Sequence, residues 1–415
     1  MNELIYNELL KELDKHVQTE NAYAPSYQQA QKIAFQFFKE HGLPQKSDER
    51  YLNFDLQKDL KFKISKNFDH QKETPWEKAL DKEQVIVFRN GQFSRELSRL
   101  PDGLKALSPA IKTDFRHSFD ALNFISAPDA QCFKLAAHTK IEKPLTIIYA
   151  IDDLSFQKII CPRLHFILES HAELQLVERF EYLVSANIKE QFEFNFNRTI
   201  HAQCANGARL VHLNILDGLK NAVVLNHLEV ELKRDSFFQS LTIDLGIKQS
   251  RQDCYIELNG ENAQAHAMGM YSLSAREKSD FFTLLKHNAP HTESHQHYKG
   301  ILRDETQAVY NGQIDIAKDC SQVQSTQLNN NLILSKKSRL YTRPQLLVST
   351  DDVKCSHGAT IGDLSEDEIF YLNARGISKE KAIKMLSQGF LFELVLKLNQ
   401  PLLETYIQKV MEENL

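Results

Sequence analysis

No two of the six cysteines, Cys132, Cys161, Cys204, Cys254, Cys320 and Cys355, stand close enough to form a C-x-x-C pair. This spacing excludes a zinc or four-cysteine site built from local pairs. A disulfide framework is also disfavoured: the chain is long, and Met1-Asn2-Glu3-Leu4-Ile5 has neither the basic nor the apolar region of an export signal. Most of the thiols are expected to be small buried hydrophobes. Glycine is scarce, at 14 of 415 residues, which disfavours a fold made of tight primed hairpin turns. No apolar run reaches about 18 residues, so no helical membrane span is expected. A formal net charge of -5 offers no broad basic surface for nucleic acid. The G-x-x-x-x-G-K-[ST] and G-x-G-x-x-G patterns are both missing, so the common routes to holding ATP or a dinucleotide are excluded. The expectation is a cytoplasmic chain that takes any nucleotide energy from a partner.

What is present divides into three regions, 1–82, 83–350 and 351–415. The first reads as helical. One helix is expected from Leu4 to His16. A second follows the capping box Ser26-Tyr27-Gln28-Gln29, carries Ala30, Ile33, Ala34, Phe37 and Phe38 on one face, and stops at Gly42 and Pro44. The second region is β. Val85-Ile86-Val87-Phe88 leads into the hairpin signal Asn90-Gly91. Apolar residues then alternate with polar ones: Phe192, Phe194 and Phe196; Leu228, Val230 and Leu232; Leu241, Ile243 and Leu245; Ile314 and Ile316. These strands recur about every 15 residues, with no helical crossover between them. An antiparallel sandwich and a β-helix both fit, and the shortage of glycine favours the β-helix. Asn329-Asn330-Asn331 reads equally as an amide ladder between coils or as a polar turn.

The third region returns to helix. Ser365-Glu366-Asp367-Glu368 is a capping box ahead of Ile369, Phe370 and Leu372, and Gly376 ends that helix. Ser378 caps the next, with Ala382, Ile383 and Leu386, which is expected to end near Gly389. Phe390 to Leu398 is strongly apolar, and Pro401 starts a last amphipathic face of Leu402, Leu403, Tyr406, Ile407 and Val410. These faces cap the β core, dock a partner, or do both.

The densest chemistry lies in Asp351-Asp352-Val353-Lys354-Cys355-Ser356-His357-Gly358-Ala359-Thr360. Cys355 and His357 are two apart, so on an extended chain they share a side. A thiolate and an imidazole suit a borderline or soft metal, but two ligands do not complete a site. The remaining ligands must come from distant residues or from another chain; otherwise the pair is a packed cysteine beside a strand-end histidine. Nothing marks an oxyanion hole or a third member for a Cys–His nucleophile. His287, His291, His295 and His297 form a second cluster, read either as a solvated loop or as a metal site.

The string DDVKCSHGAT at Asp351–Thr360 resembles the signature of the SufB/SufD family of iron–sulfur cluster assembly proteins, in its SufD form. The likeness continues through Ile361-Gly362, Phe370-Tyr371-Leu372, Arg375-Gly376-Ile377 and Gly389-Phe390. Upstream it takes in His287-Asn288, Lys299-Gly300, Tyr310-Asn311-Gly312, Asn329 to Leu334, Pro344-Gln345-Leu346 and, more faintly, Ala121-Leu122-Asn123. Val323 and Thr326 depart from the pattern, which has Thr and Gln there. The chain also lacks the cysteine-rich N-terminal stretch often seen in SufB and is shorter.

The resemblance implies a mainly β fold, a right-handed parallel β-helix flanked by N- and C-terminal α-helical regions. It implies a non-catalytic scaffold subunit that pairs with SufB and docks the ATPase SufC, which supplies ATP hydrolysis. It further implies a transient iron–sulfur cluster at the SufB interface and no cofactor in the isolated chain. His357 would be the candidate ligand and Cys355 its neighbour, with Phe370, Tyr371, Arg375, Gly376 and Phe390 on the SufC-docking helices. A surface that pairs with a paralogue is also expected to allow a homodimer. Two other readings stand beside this one: a β-helix polysaccharide-active enzyme, and a stand-alone metal-binding protein using the histidine cluster.

Overall fold

The computed structural model describes residues 3–18, 25–45, 47–53, 63–64, 83–108, 111–185 and 191–414. From the strand Arg163–Leu168 onward, each strand pairs in parallel with the strand two places further along the chain. Alternate strands therefore build two facing walls, and each successive pair of strands is one coil of a β-solenoid of about eight turns. Gln249 lies opposite Lys278 and Lys278 opposite Gln307, so a coil here takes 29 residues. Two ten-residue strands per coil account for the spacing in the sequence and for the missing helical crossovers. The choice between sandwich and β-helix is thereby settled for the β-helix.

The first wall opens with a hairpin. Val85–Arg89 and Gln92–Arg99 run antiparallel around Asn90 and Gly91, whose φ values of 50° and 85° suit a primed two-residue turn. Further along, left-handed corner positions are filled by ordinary residues: Asp235, Asn262, His291, Asp304 and Gln322 all have φ between 52° and 60°. Such a conformation costs roughly 1–2 kcal/mol per residue. Stacking offsets it, because each coil bonds the next: Asp235 N–H to Glu261 O (2.9 Å), His291 N–H to Ser321 O (2.9 Å), Gln322 N–H to Asp352 O (2.7 Å). Scarce glycine thus reflects corners held by neighbours rather than corners without positive φ.

Side chains alternate in and out along every strand. Leu228, Val230 and Leu232 point into the solenoid core. Leu241, Ile243 and Leu245 point outward into a second apolar cluster, while Thr242 and Asp244 face the interior. Asp244 is fully buried and accepts hydrogen bonds from Ser250 and Ser279. Deeper in the core, buried Glu178 accepts from Arg198 (2.8 Å) and pairs with His212 (2.7 Å).

Helices cover the outer faces of both walls. On one side lie α1 (Glu3–Gln18), α2 (Pro25–His41) and α3 (Ser118–Ser126), packed over Ile159, Cys161, Val223 and Leu225. The sequence expectation is corrected at the start of α2: Pro25 opens the helix and Ser26 lies inside its first turn, because proline is pre-set for that position. Gly42, at φ 66°, ends α2 by donating to Phe38 O (2.8 Å). Within 1–82, Lys63–Ile64 also forms a two-residue strand paired with Lys158–Ile159, and most of 54–82 lies outside the described residues. Arg251 fastens this layer to the solenoid. It binds Asp253 and Asp280, donates to Arg50 O, and lies 4.5 Å over the Tyr51 ring.

On the other side lie α4 (Glu366–Asn373), α5 (Lys379–Leu396) and α6 (Pro401–Asn414). Ser365 and Ser378 cap α4 and α5 as expected, accepting from Glu368 N–H and Lys381 N–H at 3.3 Å. Helix α5 runs on through Gly389 instead of ending there. The glycine costs about 1 kcal/mol, whereas burying Leu391, Leu394 and Val395 against Met268, Met270 and Ile301 contributes about 1.5–3 kcal/mol for each side chain. Among the described residues, no helix is long and apolar enough to cross a membrane.

Candidate functional site

The Cys–His segment lies on the last strand of the solenoid, Val353–Gly362, and the C-terminal helices begin only at Glu366. Register fixes its direction. Cys355 is opposite Ser325 and His357 opposite Gln327, both fully buried and inward-pointing. Cys355 and His357 therefore continue an inward-facing row, but in a coil that no further coil covers. With the neighbouring strand Arg339–Val348 they form an open end, where Tyr341, Leu347, Val348 and Ile361 are exposed. Such an end presents both apolar side chains and unpaired strand edges.

The two candidate ligands differ in setting. Cys355 is half-buried against the core, and burial pushes its thiol pKa up. His357 is exposed. Beneath Cys355 runs a hydroxyl chain: His287 Nε2 to Ser294 Oγ at 2.8 Å, then Ser294 Oγ to Ser325 Oγ at 2.6 Å. Beneath His357 lies a polar plug, in which Gln296 Oε1 accepts from Tyr310 (2.8 Å) and from Gln327 Nε2 (3.1 Å). Gln327 Oε1 and Thr342 Oγ1 are buried there without a hydrogen-bond partner. Space explains Gly312 and Gly300. A Cβ on Gly312 would lie 1.7 Å from Gln327 Nε2, and one on Gly300 would lie 2.0 Å from Tyr271 Cε2.

The Asn run is neither a turn nor a ladder between asparagines of successive coils. It sits in the strand Val323–Ile333, where Asn329 and Asn331 face inward and Asn330 faces out to Thr360 Oγ1 (2.8 Å). Nor do the histidines form one solvated loop. His287 is buried at a strand end, with burial lowering its pKa to about 4; His291 is a corner residue; His295 and His297 project from the outer face of Glu293–Leu302. Of the helix residues named from sequence, Phe370 and Tyr371 on α4 are 73% and 56% exposed, and Arg375 lies 4.3 Å over the Tyr371 ring. Gly376, at φ 83°, turns the chain directly after them. Phe390 stands apart on α5. It is half-buried, its ring lies 4.3 Å from Lys299 Nζ, and its carbonyl accepts from that ammonium (2.9 Å).

A further constellation, Asp120, His201 and His227, is buried between α3 and the sheet, its members too far apart in sequence to suggest a site. Its hydrogen bonds argue against an ion. Arg163 donates to His201 Nε2 (3.0 Å), which leaves the ring proton on Nδ1, 3.1 Å from Glu229 Oε2. Asp120 N–H donates to His117 Nδ1 (3.4 Å), so His117 donates from Nε2 to His227 Nδ1 (3.0 Å). His227 then carries its proton on Nε2, facing the same Glu229 oxygen at 3.8 Å. A ligating histidine offers a bare nitrogen and donates from the other; these rings have the reverse arrangement. The group is a buried polar clasp around Glu229. Neither it nor the group of His266, Glu293 and His295 includes Cys355 or His357.

The described residues thus form a parallel β-helix whose last coil, carrying Cys355 and His357, is left uncovered. Residues 151–390 match the family described as SUF system FeS cluster assembly, SufBD core domain, and the chain belongs to that family. It is similar to the iron-sulfur cluster assembly protein SufD of Escherichia coli, with 29% identity covering 74% of each chain. An iron-sulfur cluster assembly SufBD family protein of Synechocystis sp. is 27% identical, covering 75% of this chain and 73% of its own. SufD of Bacillus subtilis is 22% identical, covering 70% and 64%.

Proposed function

We propose that this chain is the non-catalytic scaffold subunit of a cytoplasmic SUF complex, pairing with SufB through its open solenoid end and docking SufC on its C-terminal helices. The observation that carries the reading is the uncovered coil. Cys355 and His357 stand on it as an incomplete ligand set beside unpaired strand edges. A second β-helix seated there would extend both walls, cover the exposed apolar residues, and bring further thiolates to the pair. The nascent iron–sulfur cluster is the cargo of that junction, since histidine can replace some cysteine ligands of such clusters. When SufB is absent, the same end suits a second copy of this chain.

The docking of SufC rests on the exposed group of Phe370, Tyr371 and Arg375, because helix α4 buries no residue against this chain. SufC would supply the ATP hydrolysis for which this sequence has no phosphate loop. The test is anaerobic co-expression with SufB and SufC, purification through a tag on this chain, and assay of subunits, iron and sulfide. Both partners are expected to co-purify with a cluster whose iron content falls at least several-fold in His357→Ala. Recovery of the chain without either partner would overturn the reading.

A further inference from the structure

The outer face of the second wall carries a three-ligand group that the terminal coil does not involve. His266 and His295 are opposite each other in adjacent coils, their ring centroids 4.8 Å apart. Glu293 lies on the strand of His295, with Oε1 2.8 Å from its Nε2. One donor atom from each of the three residues falls within 4.8 Å of the other two.

We propose that His266, Glu293 and His295 bind one divalent first-row transition ion at the rim of this face. Four observations support it. Two imidazoles and a carboxylate are the donor set that such ions take with positions left open for other ligands. The ring of His295 is already oriented: its Nε2 donates to Glu293 Oε1, and its Nδ1 meets Thr326 Oγ1 at 2.6 Å. Because the hydroxyl rotates, it can accept from Nδ1, the outer bond of a ligating histidine, once an ion displaces the Nε2 proton. His266 has no hydrogen-bond partner among the described residues, so its ring nitrogens are open to an ion. Finally, the group borders a cavity of about 310 Å³ lined by His266, Met268, His295, His297 and Lys397.

That volume leaves room for water or a small ligand on the open positions. His297 is not part of the donor set. Its Nδ1 accepts from Lys397 (2.9 Å) and its Nε2 faces Asn330 Oδ1 (3.0 Å). Lys397 does not repel an ion unopposed, because Glu393 lies 3.5 Å from it. Thr326 acts here as the residue that positions His295. The site belongs to the chain alone and is independent of pairing with SufB.

The test uses the full chain, stripped of metal, with Zn(II) followed by equilibrium dialysis and Co(II) by its visible absorption. One equivalent is expected, with the absorption of an ion bound by nitrogen and oxygen rather than sulfur. His266→Gln and His295→Gln are each expected to abolish stoichiometric binding. Thr326→Val is expected to weaken it about 10–100-fold through loss of the outer bond. Cys355→Ser and His357→Ala are expected to bind as the parent does. No stoichiometric binding, binding unchanged in His266→Gln, or binding lost in His357→Ala would each overturn the proposal.

Discussion

Single residues carry both the site and the packing that presents it. Gly312 makes the clearest test of packing. Adding one methyl there forces Gln327, Tyr310 and Gln296 apart, and overpacking of this kind costs about 1–3 kcal/mol. Gly312→Ala is expected to lower the melting temperature by several degrees, whereas Gly362→Ala, with nothing within 4 Å of its Cβ, is expected to leave it unchanged. Equal shifts for the two would refute the packing account. At this scale the sequence was informative where neighbours along the chain do the work. Cys355 and His357, two apart, share a side because a strand alternates. It was silent about His266, which reaches His295 only because a coil is 29 residues long. It was equally silent about Gln327 and Thr342, whose buried, unpartnered atoms depend on where the chain stops coiling.

Elements were legible through their punctuation. Asn90-Gly91, Gly42, Ser365, Ser378 and Pro401 all act as their chemistry dictates, and the alternation of period two marks real strands. Alternation does not say which face is inside. Leu241, Ile243 and Leu245 look outward because α5 and α6 cover them, which leaves Asp244 in the core. Burial raises the Asp244 pKa to about 6, above its ordinary 3.8. The folded state therefore favours the protonated form. Stability is gained as pH falls through about 6 toward 4, and the ionised form costs about 3 kcal/mol above that window. Asp244→Asn is expected to be more stable than the parent at pH 8, with the difference gone by pH 4, in denaturant titrations; no difference at pH 8 would contradict this. Helix α4 behaves differently. Phe370→Ala with Tyr371→Ala is expected to leave stability within about 0.5 kcal/mol, since both are exposed, while SufC binding is lost in pull-down.

At the scale of the molecule, two helical layers are fastened to the outside of a solenoid whose C-terminal end is left open. The N-terminal layer is held partly by the clasp of His117, His201, His227 and Glu229. Burial lowers the pKa of His117 and of His201 to about 4. A detached layer would take up their protons below about pH 6.5, so attachment is expected to weaken as pH falls from there to 4. Protection of the α3 amides, taken relative to the intrinsic exchange rate at each pH, that falls over this window while the solenoid stays protected would confirm the clasp, and protection independent of pH would contradict it. The open end is the central claim, and amide exchange with and without SufB tests it most directly. New protection is expected in Arg339–Val348 and Val353–Gly362, the two uncovered strands. Protection confined to other surfaces, with these edges exchanging as freely as before, would contradict it.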